Sequence, residues 1–283
     1  MTIPSSSIKA VFFDIGGVVI KSPLIAIHAY EQEKGLPKDW LNLHIAKLGR
    51  GGAWQRFERN ELELYPFYKE FGEELSDATR GNTYYREWCK SKNVEVPHLP
   101  ESVAIDGREL FGRMMRSAEF DPYILTAIHK LRASGRFRIV ALTNNYSAQY
   151  DRIRSMNETT AKALFDPEVE LEFLGWGADT GGPGGPRIRQ LFDDFVDSSV
   201  VGSRKPEPDI YEYACRANNV KPSEVVFLDD LGLNLRTAKK LGMKTIHVPI
   251  GESRRAVAEL QELVKIPLLD SSECESTRRK SKL

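Results

Sequence analysis

The fold of this chain is decided by the stretch Ile8-Lys9-Ala10-Val11-Phe12-Phe13-Asp14-Ile15-Gly16-Gly17. Its first six residues are mostly apolar, and several are β-branched or aromatic, so they predict a short buried strand. Asp14 ends that strand, and the glycine pair after it permits a sharp turn. We therefore expect a buried strand whose carboxyl end presents Asp14 at the start of a loop.

Three later runs have the same buried-strand character and are closed by polar residues or proline. They are Phe137–Leu142 before Thr143, Val225–Leu228 before Asp229-Asp230, and Lys244–Val248 before Pro249. A further run, 170–174, is also strand-like. Helical patterns lie between most of these runs, for example after Asp121-Pro122, where an N-cap residue precedes proline. This alternation predicts an α/β fold with a doubly wound, Rossmann-like parallel sheet.

About a hundred residues between the first two strands carry helical patterns instead. Apolar residues recur at spacings of three and four over 22–34, 37–48, 53–68 and 108–117. We expect a catalytic core of 8–21 and 120–265, a helical cap of 22–119 and a flexible tail of 266–283. The cap would lie over the carboxyl ends of the strands, where open α/β sheets bind ligands, with one or two of its aromatic residues facing the site.

The composition is that of an ordinary globular chain and excludes several classes of partner. The 283 residues include 40 basic and 40 acidic side chains, so no net charge attracts nucleic acid or an anionic membrane surface. We find no apolar run long enough to span a membrane and no secretory signal. Three scattered cysteines lack metal-ligand spacing, which fits a reducing compartment.

Three of the predicted strands end in residues that a phosphoryl-transfer site could use: Asp14, Thr143 and Asp229-Asp230. The carboxyl ends of parallel strands share one edge of the sheet, so these side chains can converge, and Lys205 could reach the same edge. Gathered carboxylates need a cation, and oxygen ligands suit Mg²⁺. Each residue alone has an ordinary explanation as a turn residue or a solvated lysine, but their order along the chain favours a site.

Four ordered motifs resemble the signatures of the haloacid dehalogenase-like hydrolase superfamily. They are Phe12-Phe13-Asp14-Ile15-Gly16-Gly17-Val18, Leu142-Thr143-Asn144, Arg204-Lys205-Pro206-Glu207-Pro208-Asp209-Ile210-Tyr211, and Val226-Phe227-Leu228-Asp229-Asp230 with Asn234 after it. The likeness extends over about residues 8–250. It is closest to the phosphatase-type N-terminal domain of soluble epoxide hydrolase and to the N-terminal region of acyl-CoA dehydrogenase family member ten.

The resemblance implies a Mg²⁺-dependent hydrolase of a small phosphorylated molecule. Asp14 would be the nucleophile and form an aspartyl-phosphate, which divides the hydrolysis into two easier steps. Asp14 and Asp230 would bind Mg²⁺ through their carboxylates, and Gly16 would bind it through its backbone carbonyl. Asp229 would lie beside the metal and orient its ligands.

The resemblance also implies the groups that hold the substrate. Thr143 and Asn144 would hold the phosphoryl oxygens, and Lys205 would neutralise the charge that the nucleophile and the phosphate share. Lys205 is therefore expected both to bind substrate and to take part in catalysis.

Gly16 departs from the pattern of the family's phosphatases, which usually carry a second aspartate there as acid and base. The loss of general acid–base catalysis costs about 10²–10⁴-fold in rate. It predicts a slow enzyme, a substrate with a good leaving group, or an acid from elsewhere in the chain. Two alternatives stay open: a catalytically weak phosphate-binding or regulatory protein, and a hydrolase of carbon–halogen bonds, since such members also lack the second aspartate.

The last three residues, Ser281-Lys282-Leu283, match the tripeptide that the peroxisomal import receptor reads. Basic residues precede them on a polar tail that a receptor could reach. The sequence therefore predicts import into the peroxisomal matrix, with a cytoplasmic location as the alternative.

Overall fold

A five-stranded, wholly parallel sheet forms the centre of the molecule in the computed structural model. The structure describes residues 7–116, 119–156, 166–177, 182–183 and 185–269. The strands are β1 Ala10–Phe13, β2 Arg138–Thr143, β3 Asp194–Asp197, β4 Val225–Asp229 and β5 Lys244–His247. Their order across the sheet is β3-β2-β1-β4-β5, and Val11 lies opposite Ile139 on one side and Val226 on the other. The strand that carries Asp14 is therefore central.

Described residues 22–116, called the helical insert here, form α-helices and a short 3₁₀ turn. The helices are α1 Leu24–Glu33, α2 Trp40–Leu48, α3 Ala53–Glu58, α4 Leu64–Leu75, α5 Ala78–Lys92 and α6 Gly107–Arg116. The single helix predicted over 53–68 is divided, and Asn60 has a φ of 60° between the two parts. The sequence pattern had not indicated α5, because few apolar residues recur along it.

A hydrophobic cluster of its own holds the helical insert together. Phe57 of α3 stacks on Phe67 of α4 with ring centroids 4.1 Å apart, and Phe111 of α6 packs edge-on against Phe57. Tyr146 and Trp176, which follow the insert in the chain, belong to the same cluster. The insert therefore packs directly on the loop after β2 and on the segment that carries Trp176, while the division into core and cap domains stays a prediction.

The remaining helices of the described residues include four that cover the two faces of the sheet. The remaining helices are α7 Pro122–Ser134, α8 Ser147–Ser155, α9 Pro167–Phe173, α10 Pro186–Arg189, α11 Ser198–Val201, α12 Pro208–Ala217, α13 Gly232–Lys240 and α14 Ser253–Val264. Val11 and Phe13 belong to the apolar cluster with α7 and α14, whereas Ala10 and Phe12 belong to the cluster with α12 and α13. Successive side chains of a strand point to opposite faces, so the doubly wound α/β fold is confirmed.

Two segments of the structure differ from the sequence prediction. The strand predicted over 170–174 is wrong, because these residues lie in and just after α9. Asp166 caps that helix by accepting hydrogen bonds from the backbone N–H groups of Glu168 and Val169, and Pro167 occupies its first position. Strand β3 was not predicted, because its sequence Asp-Phe-Val-Asp contains no apolar run.

The packed part of the chain extends at least to Leu269. Leu268 is buried, and Lys130 donates a hydrogen bond to its backbone carbonyl over 3.0 Å. The rest of the predicted tail, with the tripeptide 281–283, lies outside the described residues. Across the described part of the chain, none of the helices combines the length and the apolar character that a membrane crossing requires.

Candidate active site

The carboxyl edge of the sheet brings Asp14, Thr143 and the pair Asp229-Asp230 together. These residues end or follow the adjacent strands β1, β2 and β4. The backbone N–H of Asp14 donates to the carbonyl of Leu228 over 2.9 Å, which extends the ladder between β1 and β4 by one residue. Because the strands are parallel and in register, the three polar ends lie side by side, as the sequence predicted.

Lys205 crosses this edge as a buried ammonium group. Its Nζ lies 2.8 Å from Asp14 Oδ1 and 2.7 Å from Asp229 Oδ2, and the side chain is 1% exposed. Asn144 holds the loop that carries the lysine: its Oδ1 accepts from the backbone N–H of Lys205 over 2.8 Å, and its Nδ2 donates to the Lys205 carbonyl over 3.1 Å. The Asn144 side chain thus positions the lysine, and its expected contact with phosphoryl oxygens stays a prediction.

Thr143 is buried at the end of β2, and its hydroxyl donates to the backbone carbonyl of Asn144 over 3.2 Å. The two residues line one cavity together with Gly16. A rotation of the Thr143 hydroxyl would be enough to offer it to a ligand in that cavity, since a hydroxyl donates one hydrogen bond and rotates to suit its partner.

Asp14, Asp229 and Asp230 form a carboxylate cluster in which one oxygen of each lies within 4.8 Å of the others. Burial raises the pKa of Asp14 well above its usual range; Lys205 opposes this, and the two other carboxylates add to it. Burial and the neighbouring Asp229 raise the pKa of Asp230 to about 7. Burial would lower the pKa of Lys205, but Asp14 and Asp229 raise it.

The cluster fits a divalent cation bound by oxygen. Three carboxylates lie together and only one ammonium group pairs with them. The remaining repulsion between the carboxylates is relieved by a cation bound among them. The oxygens of Asp229 already accept hydrogen bonds from the protein, namely from the backbone N–H of Leu231 and the side-chain amide of Asn234. Asp14 and Asp230 are thus the better placed ligands, with Asp229 beside them.

The glycine pair after β1 leaves room for this cluster. A Cβ on Gly17 would lie 2.1 Å from Asp230 Oδ2, and Gly17 has a φ of 84°, which side chains rarely adopt. Gly16 offers no side chain either, and its backbone lines the space above Asp14. The turn therefore brings backbone, not side chains, to the carboxylates.

Two adjoining cavities open above the cluster. The smaller, of about 150 Å³, is lined by Asp14, Asp230 and Lys205, and by residues of the helical insert that include Trp54 and Glu58. The larger, of about 620 Å³, is lined mainly by apolar side chains, and Gly16 and Tyr146 border both. Of the aromatic residues in the insert between 54 and 71, Trp54 faces the site, while the others are cluster residues or lie beside it.

The comparison with known families matches residues 8–242 to the haloacid dehalogenase-like hydrolases. This chain belongs to that family. The match spans the central strand, the helical insert and the strands that carry Thr143 and Asp229. The assignment made from the four motifs is therefore confirmed, and with it the expectation that the chain is a hydrolase.

Several characterised relatives are similar over most of this chain. Acyl-CoA dehydrogenase family member 10 of Mus musculus is 29% identical over 93% of this chain and 20% of its own length. Bifunctional epoxide hydrolase 2 of Rattus norvegicus is 26% identical over 92% of this chain and 39% of its own length. A sesquiterpene phosphatase of Aspergillus oryzae is 21% identical over 92% of this chain and 98% of its own length. The chain thus spans only a fifth to two fifths of the first two relatives.

Among solved structures, a dehalogenase crystallised with an intermediate complex has a TM-score of 0.50 and 18% identity, over 92% of this chain and 98% of its own. At this identity, the likeness concerns the fold alone. It supports the α/β fold described above.

The sequence patterns do not indicate two charged residues that line the candidate site, Glu58 and Arg204. The Arg204 Nε donates to Glu58 Oε2, and this joins α3 of the insert to the loop of Lys205. Ser22 was missed as well; its hydroxyl donates to Asp230 Oδ2 over 3.3 Å. Arg204 adjoins a motif lysine, which is a weak signal, but nothing near Glu58 distinguishes it from the other glutamates of the insert.

Proposed function

We propose that this chain is a Mg²⁺-dependent phosphatase that hydrolyses a small organic phosphate through an aspartyl-phosphate on Asp14. One observation carries the proposal: Asp14 is buried at the floor of a cavity, within a three-carboxylate cluster, and is held by a buried lysine. A nucleophile, a cation site and an ammonium group are the groups that phosphoryl transfer requires.

Asp14 is oriented for attack on phosphorus. Its Oδ1 lies 2.8 Å from Lys205 Nζ in an ion pair and accepts from the backbone N–H of Ile15 over 2.7 Å. Within the described residues no donor is bonded to Oδ2, so this oxygen can form the bond to phosphorus while the bond from phosphorus to the leaving oxygen breaks. Water then attacks the aspartyl-phosphate, the bond between Asp14 and phosphorus breaks, and free phosphate leaves.

Mg²⁺ would be held by the Asp14 and Asp230 carboxylates and the Gly16 carbonyl, with Asp229 beside it. When bound, it supplies positive charge against the charge that develops on the phosphoryl group. Lys205 provides a second, fixed positive charge at the nucleophile, and Asn144 keeps the lysine in place.

The larger cavity supports an organic phosphate with an apolar part. Its wall includes Ile20, Met115, Phe120 and Ile188. A volume of about 620 Å³ is within the range of small-molecule sites, so there is room for a metabolite beyond its phosphate group.

The test is phosphate release from an aryl phosphate and from a panel of metabolite phosphates, with Mg²⁺ and with a chelator. We expect Mg²⁺-dependent release that Asp14→Asn abolishes. Asp209→Asn, which changes an exposed aspartate in the first turn of α12, is the matched control and should keep full activity. Phosphate binding without turnover would instead favour a regulatory protein, and metal-independent halide release would favour carbon–halogen hydrolysis.

A further inference from the structure

An acidic side chain outside the carboxylate cluster faces the site. Among the described residues, three acidic side chains line the smaller cavity: Asp14, Asp230 and Glu58. The first two belong to the cluster that would hold the cation, so they are not available to exchange protons with a substrate. Glu58 enters from α3 of the helical insert, and it is only 4% exposed.

Glu58 is held rigidly relative to the sheet. Arg204 donates to its Oε2, and the Ser198 hydroxyl donates to its backbone carbonyl over 2.7 Å. The adjacent Arg59 reaches Glu207, near Lys205 in the chain, over 3.2 Å. These contacts tie α3 to the loop that positions the catalytic lysine, so Glu58 and Lys205 share one framework.

The charges around Glu58 leave it able to carry a proton. Burial raises its pKa, while the Arg204 guanidinium and, to a smaller extent, Trp54 and Lys205 oppose that effect; the net direction is upward. Arg59 is the other cation near it, and the buried phenol of Tyr146 also faces it. A buried carboxyl whose proton is retained to higher pH is suited to donate it near neutral pH.

The reaction needs such a group. An alkoxide that leaves phosphorus is a strong base and departs more easily when it takes a proton as the bond breaks. Gly16, two residues after the nucleophile, has no side chain that could provide one. Glu58 is the acidic group that the described cavity wall offers for this purpose.

We infer that Glu58 is the general acid and base of this site, oriented by Arg204. This rests on the proposed phosphatase function. As Asp14 Oδ2 bonds to phosphorus and the ester P–O bond breaks, the Glu58 carboxyl gives its proton to the leaving oxygen. As water then attacks the aspartyl-phosphate, the Glu58 carboxylate takes a proton from that water, and the Asp14 carboxylate is released. Glu58 ends protonated, as it began.

The experiment compares two substrates that differ in their need for a proton. The nitrophenolate group of p-nitrophenyl phosphate leaves without one, whereas the alkoxide of a simple alkyl phosphate does not. We expect Glu58→Gln to lower kcat/KM, which covers only the steps up to release of the alcohol, by about 10²–10⁴-fold for the alkyl phosphate and by less than about 10-fold for the aryl phosphate. Glu61→Gln, which changes an exposed glutamate paired with Arg59, is the control and should affect both substrates equally and little.

A purely structural role would give a different result. It would lower kcat/KM for both substrates by the same factor, and that outcome overturns the inference. If Glu58→Gln does not fold, Glu58→Asp keeps the charge beside Arg204 but withdraws the carboxyl; the same unequal loss is expected, and an equal loss again overturns the inference. A wild-type protein no more active than Asp14→Asn refutes the proposed function and this inference together, whereas equal losses in an active protein refute Glu58 alone.

Discussion

His44 of α2 should make the helical insert sensitive to acid. Its ring is fully buried in α2, and neither ring nitrogen has a hydrogen-bond partner among the described residues. Trp40 and Tyr84 contact the ring edge-on, with centroids 5.4 and 5.7 Å away. A charged imidazolium in this apolar contact would be poorly solvated, so the folded protein should keep His44 neutral.

The sign and size of the effect follow from the pKa. Burial lowers the pKa of His44 from 6.5 to about 4, although Asp77 nearby opposes this. His44 therefore becomes protonated below pH 6.5 in the unfolded chain but only below about pH 4 in the folded protein. Stability is fully present above pH 6.5 and falls as the pH drops through this window, by about 3 kcal/mol in all, since each pKa unit corresponds to about 1.4 kcal/mol.

Urea unfolding at pH 7.5 and pH 4.5 measures this effect when the wild type is compared with His44→Phe. Phenylalanine keeps the aromatic contacts but cannot take up a proton. The wild type should lose about 2–3 kcal/mol more than the variant between the two pH values. His98→Phe, at an exposed position, should follow the wild type. If wild type and His44→Phe show the same pH dependence of the unfolding free energy, the buried ring does not act as described.

Two further predictions concern the turn after β1 and the contact between the insert and α9. Gly17→Ala should weaken Mg²⁺ binding about tenfold or more in calorimetry, because the new Cβ would lie 2.1 Å from Asp230 Oδ2. Gly135→Ala, also at positive φ but in open space, is the control and should leave Mg²⁺ affinity unchanged. Equal affinities for the wild type and both variants would contradict the role of the turn. Tyr68→Phe removes a 2.7 Å hydrogen bond to the buried carboxylate of Glu170 and should cost about 1–3 kcal/mol of unfolding free energy; a thermal midpoint identical to that of the wild type would contradict this.

The fold was predictable where each element carries its own signal. Strands β1, β2 and β4 are apolar runs with clear ends, β5 is a short run centred on Ile246 and closed by Pro249, and all four were predicted. Strand β3 was not, because aspartates stand at both of its ends and pairing with β2, with Asp194 opposite Val140, makes it a strand. The strand predicted over 170–174 failed for the opposite reason, since Asp166-Pro167 begins a helix there just as Asp121-Pro122 begins α7.

Some residues of the candidate site could likewise be predicted from the sequence, and others could not. Asp14, Thr143 and Asp229-Asp230 could be named because each follows a strand directly, and strand ends of a parallel sheet must meet. The role of Asn144 could not, because its amide is committed to the backbone of Lys205, 61 positions later in the chain. Sequence patterns record how a residue relates to its neighbours in the chain, whereas hydrogen-bond partners are decided by packing.

By itself the sequence determined the parallel α/β core, the large helical segment after the first strand, the family, and the acidic strand ends. These properties depend on local apolar periodicity and on turns, which act over a few residues. Only the tertiary structure decided that Lys205 lies between Asp14 and Asp229, and that Glu58 meets Arg204, 146 positions away, above the same cavity. The physical reason is that burial removes water from these charges, so each must find its partner in whatever part of the chain the fold brings near.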